Sequence, residues 1–149
     1  YILRNAILDG PFGLPLLKPP WGWISALDMN TGKLLWQRPN SRTPREIQEH
    51  LLLAGVAIPD TGNDDRSALL VTKTLLFSGE GAGMYGARWG GSLFRAHDKR
   101  SGKVVAEIEL GQRQTGVPMT YAIGGQQYIV VATGAPGEAG QLVALTVSQ

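Results

Sequence analysis

The sequence has no cysteine. That excludes thiol catalysis, thiolate-held zinc and disulfides, and leaves the redox compartment open. Histidine is scarce as well, with only His50 and His97. Neither a metal-binding pair nor a Ser-His-Asp set can be assembled from them, so both are read as structural. Charged residues make up 17% of the chain, below the usual quarter, and the net charge of +2 is too small to point to nucleic acid. No apolar run approaches the roughly 18 residues that a membrane-spanning helix needs, and no secretory leader is visible. The chain opens at Tyr1 with neither Met nor a basic leader segment, and is expected to be a piece of something longer. Helical patterning is confined to one stretch, 44–54 (PREIQEHLLLA). Thr43 would cap it, Pro44 suits its first position and Gly55 its end.

Glycine is plentiful, with 20 residues among 149, and it punctuates short β-branched and apolar runs. Expected strands are 24–28, 33–38, 69–72, 75–78, 92–98, 103–110, 118–123, 127–133 and 141–147, with Gly124-Gly125 as a two-residue hairpin turn. An internal repeat organises them. Ala26-x-Asp28-x-x-Thr31-Gly32-Lys33-x-x-Trp36 matches Ala96-x-Asp98-x-x-Ser101-Gly102-Lys103-x-x-Ala106, and a partial third copy is Leu142-Val143-Ala144-Leu145. Gly32 and Gly102 fall where the turn requires positive φ, and Asp28 and Asp98 can accept the backbone amides ahead of them. Ala26 and Ala96 leave room for a large neighbour such as Trp36 from an adjoining unit. Four antiparallel strands in about 45 residues make a propeller blade. The expected fold is all-β: a β-propeller fragment of about two and a half four-stranded blades forming the C-terminal part (1–149) of one domain. Blade ends fall within 1–38, a full blade spans 69–110 and an incomplete one 118–147, its missing outer strand being supplied from the other end of the parent chain.

The turns within hairpins are short, whereas 10–23, 39–68, 79–91, 111–117 and 134–140 are long, so the elaborate loops are expected on one face. Function sits preferentially on such loops. They carry Lys18, Trp21, Trp23, Glu80, Tyr85, Arg88, Trp89, Arg113 and Gln114. Aromatic rings mixed with cations suit a planar anionic ligand, although each Trp also suits plain loop packing. Gly81-Ala82-Gly83-Met84-Tyr85-Gly86 fits G-x-G-x-x-G, but a strand rather than a helix is expected to follow, which argues against a dinucleotide site. Asp60, Asp64 and Asp65 do not have EF-hand spacing and are read as a solvated loop.

KPPWG (18–22), ISALDMNTGKLLWQ (24–37), LVTKTLLFSGEG (70–81), FRAHDKRSGKVVAEIEL (94–110), GVPMTY (116–121) and QQYIVVATG (126–134) resemble, in order, the C-terminal region of pyrroloquinoline-quinone (PQQ) dependent dehydrogenases, the glucose and quinate dehydrogenase branch especially. The Ala26…Trp36 segment resembles that family's tryptophan-docking motif; the second copy departs from it, with Ala106 where Trp is usual. The resemblance implies an eight-bladed propeller that holds PQQ with a divalent metal, commonly Ca²⁺. Such enzymes oxidise a sugar or alcohol in the periplasm and pass electrons to ubiquinone or a cytochrome. The family's metal ligands and catalytic Asp lie in earlier blades and match no residue here. The resemblance places the PPWG loop (19–22) and the loop 79–81 nearest the cofactor, and with the aromatic and charged loop residues above, the expected cofactor-binding set is Lys18, Pro20, Trp21, Glu80, Gly81 and Trp89. The alternative reading is a non-catalytic propeller scaffold for protein interaction. The fragment alone is expected to be inactive and to self-associate through its open blade edges.

Overall fold

The computed structural model describes residues 9–65, 67–81 and 89–146. Three antiparallel sheets follow one another along the chain. The first pairs β1 (Trp23–Leu27) with β2 (Leu34–Pro39). The second has four strands in sequence order: β3 (Leu69–Val71), β4 (Leu75–Gly79), β5 (Leu93–Asp98) and β6 (Val104–Glu109). In the third, β9 (Gln126–Gly134) lies between β10 (Gln141–Thr146) and an inner edge made of β7 (Arg113–Gln114) and β8 (Met119–Ile123). The architecture is that of a β-propeller fragment.

The repeated turns are built alike. Asp28 accepts the amides of Asn30 (2.8 Å) and Thr31 (3.3 Å), and Gly32 sits at φ 68°. Asp98 accepts the amide (2.8 Å) and hydroxyl (2.7 Å) of Ser101, and Gly102 also sits at φ 68°. These Ser101 bonds hold the Asp98 carboxyl below its ordinary pKa. In the first sheet Ala26 faces Trp36 and the register slips one residue later; in the second, Ala96 faces Ala106 and the same slip follows. Trp36 crosses from the first sheet to the second. Its indole Nε1 donates to Lys99 O (3.0 Å), and its ring covers Gly102, where a Cβ would lie 2.6 Å from it. Ile24, Trp36 and Leu76 form the buried cluster at this seam, with Ala26 packed against it.

Three expectations are corrected. The 44–54 helix is only one turn, α1 (Arg45–Gln48), followed by a separate 3-10 turn at Leu51–Leu53. His50 breaks it: its backbone is extended (ψ 127°) and its Nδ1 accepts the Leu52 amide, a local bond that competes with helix. Thr43 does not cap α1, because its hydroxyl donates to Pro59 O (2.7 Å). The stretch 111–117 is not all loop, since Arg113 and Gln114 pair with Gly134 and Thr133 on β9. Finally, the acidic loop is not a solvated one throughout. Thr61 and Asn63 are buried, and Asn63 exchanges bonds with Asn40 (Asn63 N to Oδ1 2.9 Å, Nδ2 to Asn63 O 3.2 Å). Asp65 accepts from Ser67 Oγ and from the Gly81 amide. Asp60 and Asp64 remain exposed.

Candidate functional site

The long connections of the first two sheets interlock. Trp21 N donates to Thr61 O (2.8 Å) and Asn40 N to Gly22 O (3.2 Å), and a Cβ on Gly22 would lie 2.0 Å from Asn63 O. Only glycine lets the two backbones approach so closely. This fixes Trp21, whose Nε1 donates to Leu17 O (2.9 Å) and whose ring centre lies 5.1 Å from that of Trp89, tilted 48°. Trp89 is buried, and its amide points to Asp64 Oδ1 (3.4 Å).

Below the two rings runs a line of alternating charge. Glu80 Oε1 lies 2.5 Å from Arg95 Nη2, Arg95 Nε donates to Glu107 Oε1 (2.7 Å), and Glu107 Oε2 meets Arg42 Nη2 (2.5 Å). The Arg95 side chain is 3% exposed, against 62% for Arg42 at the outer end. Gly91 makes room for Glu80, whose Oε2 stands 2.0 Å from where a Cβ would be. Arg95 Nη2 is close to Glu80 without hydrogen-bond alignment, and Nη1 has no acceptor among the described residues. A buried guanidinium left with a free donor is costly unless something meets it.

Arg95 lines a cleft of about 380 Å³ between the first connection and the second sheet, together with Glu80, Trp89, Arg42 and Arg113. Arg113 lies over Gly90, 3.5 Å from where its Cβ would be. Arg45, also on the cleft, is engaged by Glu49 (2.7 Å), which raises its pKa. The cleft therefore presents the Trp89 indole, backed by Trp21, at one end and guanidinium groups along its wall. Such a surface takes a flat, anionic molecule by ring contact and charge-assisted bonds.

The structure divides the six expected site residues. Trp21 and Trp89 touch, and Glu80 and Trp89 share the cleft. Lys18 lies on the other side of Trp21, on an apolar cavity of about 230 Å³ with Ile47 and Leu53. Pro20 is exposed, in a cis bond with Pro19. Gly81 is buried, its amide given to Asp65 and its backbone bridged to Gln114. Tyr85 and Arg88, like most of the Gly81–Gly86 motif, lie outside the described residues. Arg95 and Arg42 were not singled out by sequence. The available signal was an arginine in the strand run Phe94-Arg95-Ala96-His97, whose four residues are all buried. His97 is structural: Nε2 meets Ser78 Oγ (2.9 Å), Nδ1 meets Gly102 O (3.3 Å), and burial lowers its pKa. Among the described residues no three Asp, Glu or His side chains converge to hold a metal.

The family model described as "PQQ: Glucose/ethanol/alcohol dehydrogenase, beta-propeller domain" matches residues 1–129. This chain belongs to that PQQ dehydrogenase propeller family. It is similar to the quinoprotein glucose dehydrogenase of Escherichia coli (strain K12), 29% identical over 87% of this chain and 15% of that protein. It is similar also to the glycerol dehydrogenase large subunit of Gluconobacter thailandicus, 33% identical over 89% of this chain and 17% of that one. A third relative is the probable quinate dehydrogenase (quinone) of Xanthomonas campestris pv. juglandis, 28% identical over 88% of this chain and 16% of that one. The chain thus spans about one sixth of the length of these relatives.

Proposed function

We propose that the protein containing these blades is a PQQ-dependent dehydrogenase of a sugar, polyol or alcohol, and that its Trp89–Arg95–Arg113 cleft forms part of the cofactor wall. The observation that carries the reading is the buried Arg95, whose Nη1 has no partner among the described residues, in one cleft with Trp89 in a member of the PQQ propeller family. PQQ is a flat polycarboxylate, and this donor set fits it. When bound, PQQ supplies a two-electron acceptor for the substrate C–H bond.

In this reading the residues of the chain hold and orient. Trp89, supported by Trp21, offers the ring surface. Arg95 and Arg113 offer donors to a carboxylate, and Glu80 keeps Arg95 turned toward the cleft. Trp21, Lys18 and Pro20 brace the entry loop, and the Gly81 backbone anchors the second loop to Gln114. Ca²⁺, the base that takes the substrate proton, a ubiquinone or cytochrome acceptor and a periplasmic location complete the proposal, with the metal ligands and base outside this chain.

Equilibrium dialysis of PQQ against the full-length protein with Ca²⁺ tests the wall. Trp89→Ala and Arg113→Ala should each weaken PQQ binding by about tenfold, or roughly 1.4 kcal/mol. Wild-type affinity in both variants would remove the cleft from the cofactor site.

A further inference from the structure

The seam between the second and third sheets lacks what closes the seam before it. Between the first two sheets, the Trp36 ring fills the space over Gly102 and ties itself to Lys99 O. The equivalent position on the second sheet is Ala106, which faces Ala96 just as Trp36 faces Ala26. At Ala106 the structure has a cavity of about 290 Å³. Its floor is Phe77 and Phe94, stacked with ring centres 5.9 Å apart, and Ile129 and Leu145 of the third sheet line the far side. Among the described residues no charged side chain lines it. The polar groups at its mouth are already occupied: Gln127 Nε2 donates to Thr120 Oγ1 (2.9 Å) and Thr146 Oγ1 to Gln127 O (3.0 Å).

We propose that this seam is a binding site for a small, uncharged, planar aromatic molecule of about indole size. The repeat itself supplies the argument for the occupant, because the neighbouring seam of the same construction is filled by an indole. The walls are apolar and aromatic, so a guest gains by displacing water from them and by ring contact with Phe77 and Phe94. With the polar groups at the mouth satisfied, a charged or strongly hydrogen-bonding guest would lose its hydration without compensation. The inference is independent of the dehydrogenase reading, since the cavity and the cofactor cleft share no lining residue.

Indole is the probe. In the full-length protein with methyl-labelled Ile and Leu, titration with indole should shift the Leu75, Ile108, Ile129 and Leu145 methyl signals saturably. Ala106→Trp supplies the missing ring and should weaken the response at least tenfold. Ala106→Leu, a smaller filling, should weaken it in the same direction and covers the case in which the Trp variant does not fold. Absence of shifts at millimolar indole in the wild-type protein would overturn the proposal, and so would an undiminished response in either folded variant.

Discussion

The Arg95 side chain is 3% exposed and lies between Glu80 and Glu107. Removing Arg95 leaves the mostly buried Glu80 without its cation, while Glu107 keeps Arg42. Arg95→Ala should therefore destabilise the fold by about 3 kcal/mol, and adding Glu80→Gln should restore part of that loss in denaturant melts. His97 makes a pH prediction. Burial lowers its folded pKa below the unfolded value near 6.5, so below that pH the unfolded chain binds more protons. Stability is then fully present above about pH 6.5 and falls as the pH drops through the lowered folded pKa. Melts of wild type and His97→Gln across pH 5 to 8 should differ in slope, and parallel profiles would refute this. At this scale the sequence revealed Trp89 of the cleft and its neighbour Trp21, since both sit in long loops where large rings are conspicuous. It did not reveal Arg95, because a charge within a strand reads as surface until its neighbours on both sides are known to be buried.

The paired turns separate backbone strain from packing. Gly32 and Gly102 share φ 68°, but a Cβ at Gly32 meets nothing within 4 Å, whereas one at Gly102 meets the Trp36 ring at 2.6 Å. Gly32→Ala should cost about 1–2 kcal/mol from the left-handed backbone alone. Gly102→Ala should cost clearly more, because Trp36 must also shift. Equal losses in thermal melts would mean that Trp36 does not bear on that turn. The hairpins were legible because turn chemistry is local: Asp, Gly and the Gly124-Gly125 pair, at φ 58° and 82°, set their own geometry. The 44–54 segment was misjudged because its helical pattern had little to pack on. Ile47 is buried, but Leu51 is 88% exposed and His50 bonds to the backbone beside it. The burial of 61–63 depends on Gly22 and Asn40, more than twenty residues earlier, a pairing that no local pattern encodes.

At the scale of the molecule, the three successive sheets follow from the repeat, while the seams between them depend on which residue each copy carries: Trp36 closes one and Ala106 leaves the next open. Every residue of β6 and β8 is exposed in this chain, including Val105 and Ile123. We predict that the isolated chain self-associates through such edges and faces. Light scattering should report species larger than the 16.0 kDa monomer, and a compact monomer at micromolar concentration would contradict this. The family and its propeller were legible because ordered segments extend along nearly the whole chain; the catalytic centre was not, since the chain covers about one sixth of its relatives. The most direct test is dye reduction by the full-length protein, reconstituted with PQQ and Ca²⁺ and offered sugars, polyols and alcohols. The account predicts substrate-dependent reduction that disappears when PQQ is omitted. A protein that binds PQQ yet reduces no dye with any of these substrates would contradict it.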